Sequence, residues 1–338
     1  MDWIDIDGSY LEGGGQILRT AVGLAAAAGR PCRVHNIRKG RRKPGLAHQH
    51  LAGVRAIARL CNGQLQGAEV GSQELEFRPG PLEPPPGLCV SVGTAGSVTL
   101  VLQGLMIPLS VSDRAVEVTV EGGTHVLWSP VAEYFGGVFA YFLGRMGVQV
   151  RVLEVRPGFY PKGGGSLRIS VRPEHLRPLS LTSRGEAEGI SADSIATSDL
   201  RKARVAERQL EGVAEVLEVD PARAEYVHSA STGTAVHVRA GYANCRLGAS
   251  ALGKRGKPAE RVGREAAESL RRAMATGACL DEHMADQILP YLALAGGPSE
   301  VTVARITDHC RTNMWVIEKF LPVSLEPDEE AGLIRCRC

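Results

Sequence analysis

The strongest constraint on how this chain folds is a unit that it uses twice in succession. In the first copy the residues predict a strand over Ile4–Asp7, a helix over Gln16–Ala28, a strand over Cys32–Ile37 and a helix over Leu46–Leu60. Two strands follow, near Gln64–Val70 and Glu74–Phe77. The second copy has the same order: strand Leu88–Val92, helix Ser97–Leu109, strand Ala115–Glu121, helix Val131–Met146, then strands Val148–Val155 and Ser166–Val171. Apolar side chains at 3.6-residue spacing mark the helices, and β-branched alternation marks the strands. Pro79-Gly80-Pro81 and Pro84-Pro85-Pro86 separate the copies. Two β-α-β-α-β-β units in series restrict the chain to a mixed α/β (α+β) architecture built by repetition.

A third copy is expected, and it is interrupted. A strand near Leu179–Thr182 is followed by a different block: strand Ala187–Ile195, a charged helix over Leu200–Leu217, strands near Arg223–Ala230, Thr234–Ala240 and Cys245–Ala251, and a helix over Pro258–Thr276. From Asp281 the earlier order resumes with helix Met284–Leu294, strand Ser299–Arg305, helix Thr312–Phe320 and strands running to Cys338. The expectation is a discontinuous main domain of three repeats, 1–183 and 279–338, carrying a small inserted α/β domain over 184–278.

A length of 338 residues leaves room for two cores, and 44% hydrophobic content indicates a packed globular protein. A net charge of +2 excludes a globally basic nucleic-acid coat, so a polyanion has to be held by a local patch. The opening Met1-Asp2-Trp3-Ile4-Asp5 is acidic where a secretory signal would be basic. The longest apolar stretch, Val98–Val111, contains Gln103 and Pro108 and is too short for a bilayer. Eight cysteines without a CxxC pair, only Cys336 and Cys338 being near in sequence, suggest reduced thiols in the cytoplasm and no zinc framework.

Polar or glycine-rich segments interrupt this pattern where chemistry is expected. In Glu12-Gly13-Gly14-Gly15-Gln16-Ile17-Leu18-Arg19, three glycines entering a helix let backbone N–H groups approach an anion. Glu12 is a candidate ligand for a divalent metal there, and Arg19 for a phosphate. Arg38-Lys39-Gly40-Arg41-Arg42-Lys43 places five cations in six residues, ahead of His48-Gln49-His50 in the first turn of a helix. It is the one dense basic patch, hence the expected polyanion contact. Gly158-Phe159-Tyr160-Pro161-Lys162-Gly163-Gly164-Gly165 joins two strands and offers aromatic rings and a cation as a lip for a nucleotide or sugar. In Asp281-Glu282-His283-Met284-Ala285-Asp286-Gln287, Asp286 sits among apolar neighbours and must be paired, hydrogen-bonded or metal-bound. Asp281 and Glu282 suit an acidic helix start.

His309 is the candidate nucleophile. It is placed between a strand ending near Ile306 and a helix capped by Thr312 or Asn313, whose apolar face is Trp315, Val316 and Phe320. A histidine there faces free backbone N–H groups and a positive dipole end, and neutral imidazole attacks phosphorus without a separate base. The adjacent Cys310 is expected to be packing.

Taken in order, Gly-Gly-Gly-Gln-Ile-Leu-Arg, Lys-Pro-Gly-Leu followed by Gln-His, Tyr-Pro-Lys-Gly-Gly-Gly, Ala-Asp-Gln and His-x-x-Thr-Asn make the chain resemble the RNA 3'-terminal phosphate cyclase family over essentially its whole length. The resemblance implies three repeats with an inserted small domain, ATP as co-substrate, a divalent metal (Mg or Mn), an RNA with a 3'-terminal phosphate as substrate, and a possible homodimer. It implies that Nε2 of His309 takes up AMP from ATP and passes it to the RNA 3'-phosphate, after which the neighbouring 2'-OH closes a 2',3'-cyclic phosphate. By the same resemblance Gln103, Pro130, His283, Met284, Ala285, Asp286 and Gln287 contact the nucleotide. Arg19, Arg38, Arg41, Gln49 and His50 engage the RNA end, and Glu12 and Asp286 hold the metal. Two positions depart from the family pattern. Pro157 stands where the family has Arg, with Arg156 displaced by one, and His283 stands where Tyr is common.

Three rival readings differ in what they need. A non-catalytic cyclase-like RNA-binding protein of ribosome assembly would lack the catalytic histidine, which His309 argues against. An enolpyruvyl transferase uses similar repeats but makes no covalent adenylate. A plain RNA-binding module consumes no ATP.

Overall fold

The computed structural model describes residues 2–337. Cys338, the neighbour expected for Cys336, lies outside them. Strand β1 (Ile4–Asp7) leads into helix α1 (Gly15–Ala28), β2 (Cys32–His35), α2 (His48–Leu60), β3 (Gln64–Gln66) and β4 (Leu75–Arg78). The second stretch runs β5 (Gly87–Ser91), α3 (Val98–Leu109), β6 (Val116–Gly122), a helical segment, β7 (Val148–Arg156) and β8 (Gly165–Pro173). That helical segment is α4 (Ala132–Tyr134), a π-helical turn over Phe135–Phe139 and α5 (Ala140–Arg145). After β9 (Ser180–Leu181) come β10 (Ala187–Thr197), a 3₁₀ turn (Ser198–Ala203), α6 (Val205–Ala214), β11 (Ala222–Val227), β12 (Thr234–Tyr242), β13 (Arg246–Leu252) and α7 (Ala259–Ala275). The chain closes with α8 (Glu282–Leu294), β14 (Ser299–Thr302), α9 (Asp308–Phe320), β15 (Ser324–Asp328) and β16 (Leu333–Arg337).

Among the described residues, three of the four sheets have one strand order: β1-β2-β4-β3, β5-β6-β8-β7 and β9-β14-β16-β15. In each, the first two strands pair in parallel and the other two pairings are antiparallel. The third sheet is completed across a long gap in sequence, because β9 precedes residues 184–278 and β14 follows them. Those intervening residues form the fourth sheet, β11-β10-β12-β13. It has its own core, in which Val213, Val262 and Leu270 of α6 and α7 cover Val236, Val238 and Leu247.

The larger core joins the other three sheets through their helices. Ile17, Leu18, Ala21 and Val22 of α1 pack with Val101, Leu102 and Leu105 of α3 and with Ile288, Leu289, Val316 and Ile317 of α8 and α9. Helices α1 and α3 approach closely at Gly23, where an added Cβ would lie 2.9 Å from Ile107 and 3.2 Å from the Gly104 carbonyl. That approach places Gln103 of α3 near the first turns of α1.

Several boundaries differ from those the sequence predicts. The last helix begins at Asp308, not at Thr312, because the Thr307 side chain caps it by accepting from Cys310 N at 3.2 Å. Thr312 and Asn313 are therefore buried inside the helix. The helix expected over Leu200–Leu217 breaks at Arg204, whose φ is +49°. Strand β14 stops at Thr302, since Val303 bridges Leu280 instead. Cys310 is fully buried, as expected of packing. No helix among the described residues is long and apolar enough to cross a membrane.

Candidate active site

Two helix N-termini open on the same point. Helix α1 starts at the third glycine, Gly15, with Gly14 as a cap that offers no side chain to its first N–H groups. Helix α9 starts at Asp308, which puts His309 in its first turn rather than ahead of it. The join between them is a side-chain contact across 293 residues: Gln16 Oε1 lies 2.6 Å from His309 Nδ1. The Gln16 amide nitrogen donates in turn to Asp286 Oδ2 at 2.5 Å. With its NH₂ on Asp286, the Gln16 amide leaves Oε1 to face the imidazole. Both ring nitrogens of His309 thus face acceptors, Gln16 Oε1 at Nδ1 and Glu12 at Nε2; with Glu12 moved away, a neutral ring that keeps its proton on Nδ1 has its lone pair on Nε2.

Nε2 faces Glu12, whose Oε2 is 2.9 Å away. The imidazole is partly open to solvent, with 46% of its side-chain surface exposed. Its pKa is lowered from the ordinary value. Burial disfavours the imidazolium, Glu12 opposes that, and the Arg19 and Arg41 charges add to the lowering.

Behind the histidine lies a small open cleft lined by Gln16, Arg19, Gln103, Asp286, Gln287 and Asn313 among others. Its polar groups are cross-braced. Gln103 Nε2 donates to Gln287 Oε1 at 2.6 Å, Thr20 Oγ1 to Asn313 Oδ1 at 2.7 Å, and Asn313 Nδ2 to the Asp286 carbonyl at 2.8 Å. Burial raises the Asp286 carboxyl to about 7, against the pull of Arg19 and the Gln16 hydrogen bond. Burial also lowers Arg19 to about 10, which Asp286 opposes. An arginine at that value stays charged at neutral pH.

The basic loop folds back onto this place. Arg41 donates to the Glu12 carbonyl at 3.1 Å, and its guanidinium would be 3.3 Å from a Cβ on Gly14. Arg38 donates to the Gly45 carbonyl at 2.7 Å. Gln49 Oε1 accepts from Ser97 N at 2.9 Å, and Gln49, His50 and Arg19 share a second small cavity. His50 is turned inward at 6% exposure, its Nδ1 accepting from Ala47 N at 3.1 Å. A Cβ on Gly15 would sit 2.2 Å from His50 Nε2, so only glycine allows the ring to pack at the start of α1.

Other expected positions lie elsewhere. Met284 and Ala285 are fully buried on the core side of α8, because the helical period that turns Asp286 and Gln287 to the cleft turns them away. His283 is exposed and meets the edge of Tyr134 at 6.5 Å. Pro130 is held by its carbonyl, which accepts from Thr99 Oγ1 at 2.7 Å. Neither His283 nor Pro130 lines the cleft. Arg156 ends β7 on the exposed side of the sheet, with its backbone paired opposite Ser166.

Glu12 and Asp286 do not converge: they stand on opposite sides of the imidazole, at Nε2 and beyond Nδ1. Among the described residues no three His, Cys, Asp or Glu side chains form a set able to hold a metal ion. A single carboxylate such as Glu12 fits a hard cation that takes its remaining ligands from substrate phosphates and water.

Sequence reasoning passed over Gln16 as a site residue, and also Thr20 and Tyr134. Tyr134 OH donates to Asp281 Oδ1 at 2.7 Å, and Asp281 also accepts from His283 N, Met284 N and Gly248 N. It is thus the N-cap of α8 and ties that helix to strand β13.

This arrangement agrees with what similarity shows. The family described as RNA 3'-terminal phosphate cyclase matches residues 10–326. The chain belongs to that family. It is 45% identical to the RNA 3'-terminal phosphate cyclase of Methanopyrus kandleri, over 96% of this chain and 95% of that one. Against the protein of the same name from Thermococcus kodakarensis identity is 46%, covering 98% and 96%. The relative from Nitrosospira multiformis, also so named, is 42% identical over 98% and 96%. The cyclase family is one of ligase-type enzymes, and this chain is an enzyme of that kind.

Proposed function

We propose that the chain converts an RNA 3'-terminal phosphate to a 2',3'-cyclic phosphodiester at the expense of ATP, with His309 as the residue that carries AMP. The observation that supports this most is the Asp286–Gln16–His309 chain, whose amide oxygen accepts from an Nδ1–H and so leaves the lone pair to Nε2 once Glu12 has moved off. In the first step Nε2 attacks the α-phosphorus of ATP, the bond to the β-phosphate oxygen breaks, and pyrophosphate leaves. An oxygen of the RNA 3'-phosphate then attacks the same phosphorus and the P–N bond breaks, giving an RNA adenylate. Attack of the 2'-OH on the terminal phosphorus expels AMP as the ring closes. Adenylation is needed because a phosphate monoester dianion is a poor electrophile with a poor leaving group.

The residues divide by step. The N–H groups at the starts of α1 and α9 and the Arg19 guanidinium stabilise the phosphates in the cleft. Gln103 and Gln287 offer amides to the nucleotide, with Pro130 and His283 at its outer side. Arg38, Arg41 and Gln49 receive the RNA end. Glu12 covers Nε2 and has to swing off for the attack, and it would hold Mg or Mn together with phosphate oxygens. A bound divalent ion supplies neutralisation of the anions brought together. Asp286 acts here through Gln16. Residues 184–278 form a separate small domain in this reading, and 1–183 with 279–338 the main one.

Incubation with α-labelled ATP and divalent metal tests the proposal. Acid-labile label is expected on the wild type and none on His309→Ala. A wild type that takes no label with any metal would leave an RNA-binding protein without the covalent step.

A further inference from the structure

The most exposed large hydrophobic side chains are not in the cleft. Trp128 is 94% exposed, Tyr160 76% and Leu127 68%. They belong to two loops that are fastened side by side. His125 and Phe159 form a parallel bridge, Thr124 N and His125 N both donate to the Gly158 carbonyl, and the His125 and Phe159 rings stack at 5.2 Å. Below them, His125 Nε2 is 2.8 Å from a Glu133 carboxylate oxygen, and Ser129 Oγ donates to the Val126 carbonyl. The loops are therefore braced, while their aromatic tips are bare.

Trp128 also has a φ of +65°, a left-handed conformation that side chains other than glycine rarely adopt. A ring with almost no packing contact gives the fold nothing in return for that backbone. Its presence is better explained by a ligand than by stability.

Cations border the rings. The Lys162 backbone is held by Ser231 of the loop between β11 and β12 of the inserted sheet, whose Oγ accepts from Lys162 N at 3.0 Å, and the side chain is free. Phe159 packs against Ile195 and Ala235 at the same end of that sheet. There Gly253 N donates to the Thr234 carbonyl and presents Lys254 and Arg255, both exposed. None of these three cations joins a carboxylate. The lip also continues to the basic side of the cleft. Gly163 abuts Ala95, Gly96 abuts the Gln49 side chain, and Ser97 N donates to Gln49.

We infer that Trp128, Leu127 and Tyr160, bordered by Lys162, Lys254 and Arg255, bind the single-stranded RNA immediately upstream of the 3'-phosphorylated end. Bases stack on the two rings and backbone phosphates face the cations. Stacked aromatics beside a positive track are how single strands are held without sequence preference. This assigns the inserted domain a share of the substrate, and it rests on the reading of the cleft as the site that processes the RNA end.

The test compares two labelled substrates on the full-length protein: a 3'-phosphorylated ten-residue oligoribonucleotide and a nucleoside 3',5'-bisphosphate. For Trp128→Ala/Tyr160→Ala, the Kd for the oligonucleotide is expected to rise about tenfold or more per ring removed. Enzyme–AMP formation and the use of the bisphosphate should stay within twofold of wild type. Trp128→Phe should recover most of the affinity, and Lys162→Glu should lessen the salt dependence of binding. An oligonucleotide Kd within twofold of wild type in the double variant would overturn the inference. So would a parallel fall in enzyme–AMP formation, which would place the nucleotide base on the lip. If wild type forms no enzyme–AMP yet loses oligonucleotide affinity with the rings, the lip stands and the cyclase reading of the cleft falls.

Discussion

His50 and His309 occupy matching places and have opposite chemistry. Each stands in the first turn of the helix that follows the second strand of its sheet order, α2 for one and α9 for the other. Each also reaches the start of α1, His50 against Gly15 and His309 against Gln16. Yet His50 is enclosed, its Nδ1 is spent on Ala47 N, and burial with the Arg19 and Arg38 charges pushes it down to about 3. His309 is half open, its Nδ1 is turned to an amide oxygen, and Nε2 is left facing a carboxylate that can move. The residue type and the helix position are shared; only the partner of Nδ1 and the access to Nε2 differ. What each ring is free to do is decided here by its neighbours.

The sharpest way to break the contrast is to remove the amide that orients His309. Gln16→Leu is expected to slow enzyme–AMP formation about 10- to 100-fold, the usual cost of losing a group that orients a reactive histidine. Single-turnover labelling would show it, and an unchanged rate would mean that Gln16 does not select the tautomer. Next comes Asp286→Asn, which should slow the same step by a smaller factor, about tenfold. Partial recovery with added Mn at limiting metal would favour Asp286 as a ligand. Equal rates in Mg and Mn would favour its action through Gln16. Changing Arg38 and Arg41 together to Ala should leave enzyme–AMP formation within a few-fold and slow AMP transfer to RNA. Equal loss in both steps would move these arginines to the nucleotide.

The smallest effect concerns His50, and it is one of stability. Its folded value of about 3 lies below the ordinary value of 6.5, so between the two the unfolded chain takes up a proton that the folded chain refuses. Stability should therefore fall as pH drops from 6.5 toward 3. Urea denaturation of His50→Gln, whose side chain has no proton to take up there, should show a shallower fall over that window. Identical slopes would show that His50 is not held neutral.

Much of this was legible in the chain itself. Apolar periodicity marked nearly every helix and strand, because those residues do face one side only, and the glycine-rich and His-x-x-Thr-Asn segments did meet. Less visible was what depended on distance in sequence. Gln16 stood inside a quoted motif, but its two partners are 270 and 293 residues away. The density of positive charge around residue 41 suggested an exposed surface throughout, which hid the burial of His50. The start of α9 was misplaced because Asn313 is as good a capping residue as Thr307. The apolar neighbours that placed Asp286 under suspicion spoke correctly of burial and could not say which group would meet it.

Asp281 sets a limit on how far this protein can be pruned. Its carboxylate closes the first turn of α8 while accepting Gly248 N from the inserted sheet and Tyr134 OH from beside the second. The helix that carries Asp286 and Gln287 is thus seated partly by Gly248, which belongs to the sheet built from residues 184–278. Excising 184–278 and rejoining the ends would leave the buried Asp281 carboxyl short of one donor, at the start of the helix that carries Asp286 and Gln287. The segment from 184 to 278 is thus part of the foundation of α8, and that helix could begin as it does only with Gly248 in place.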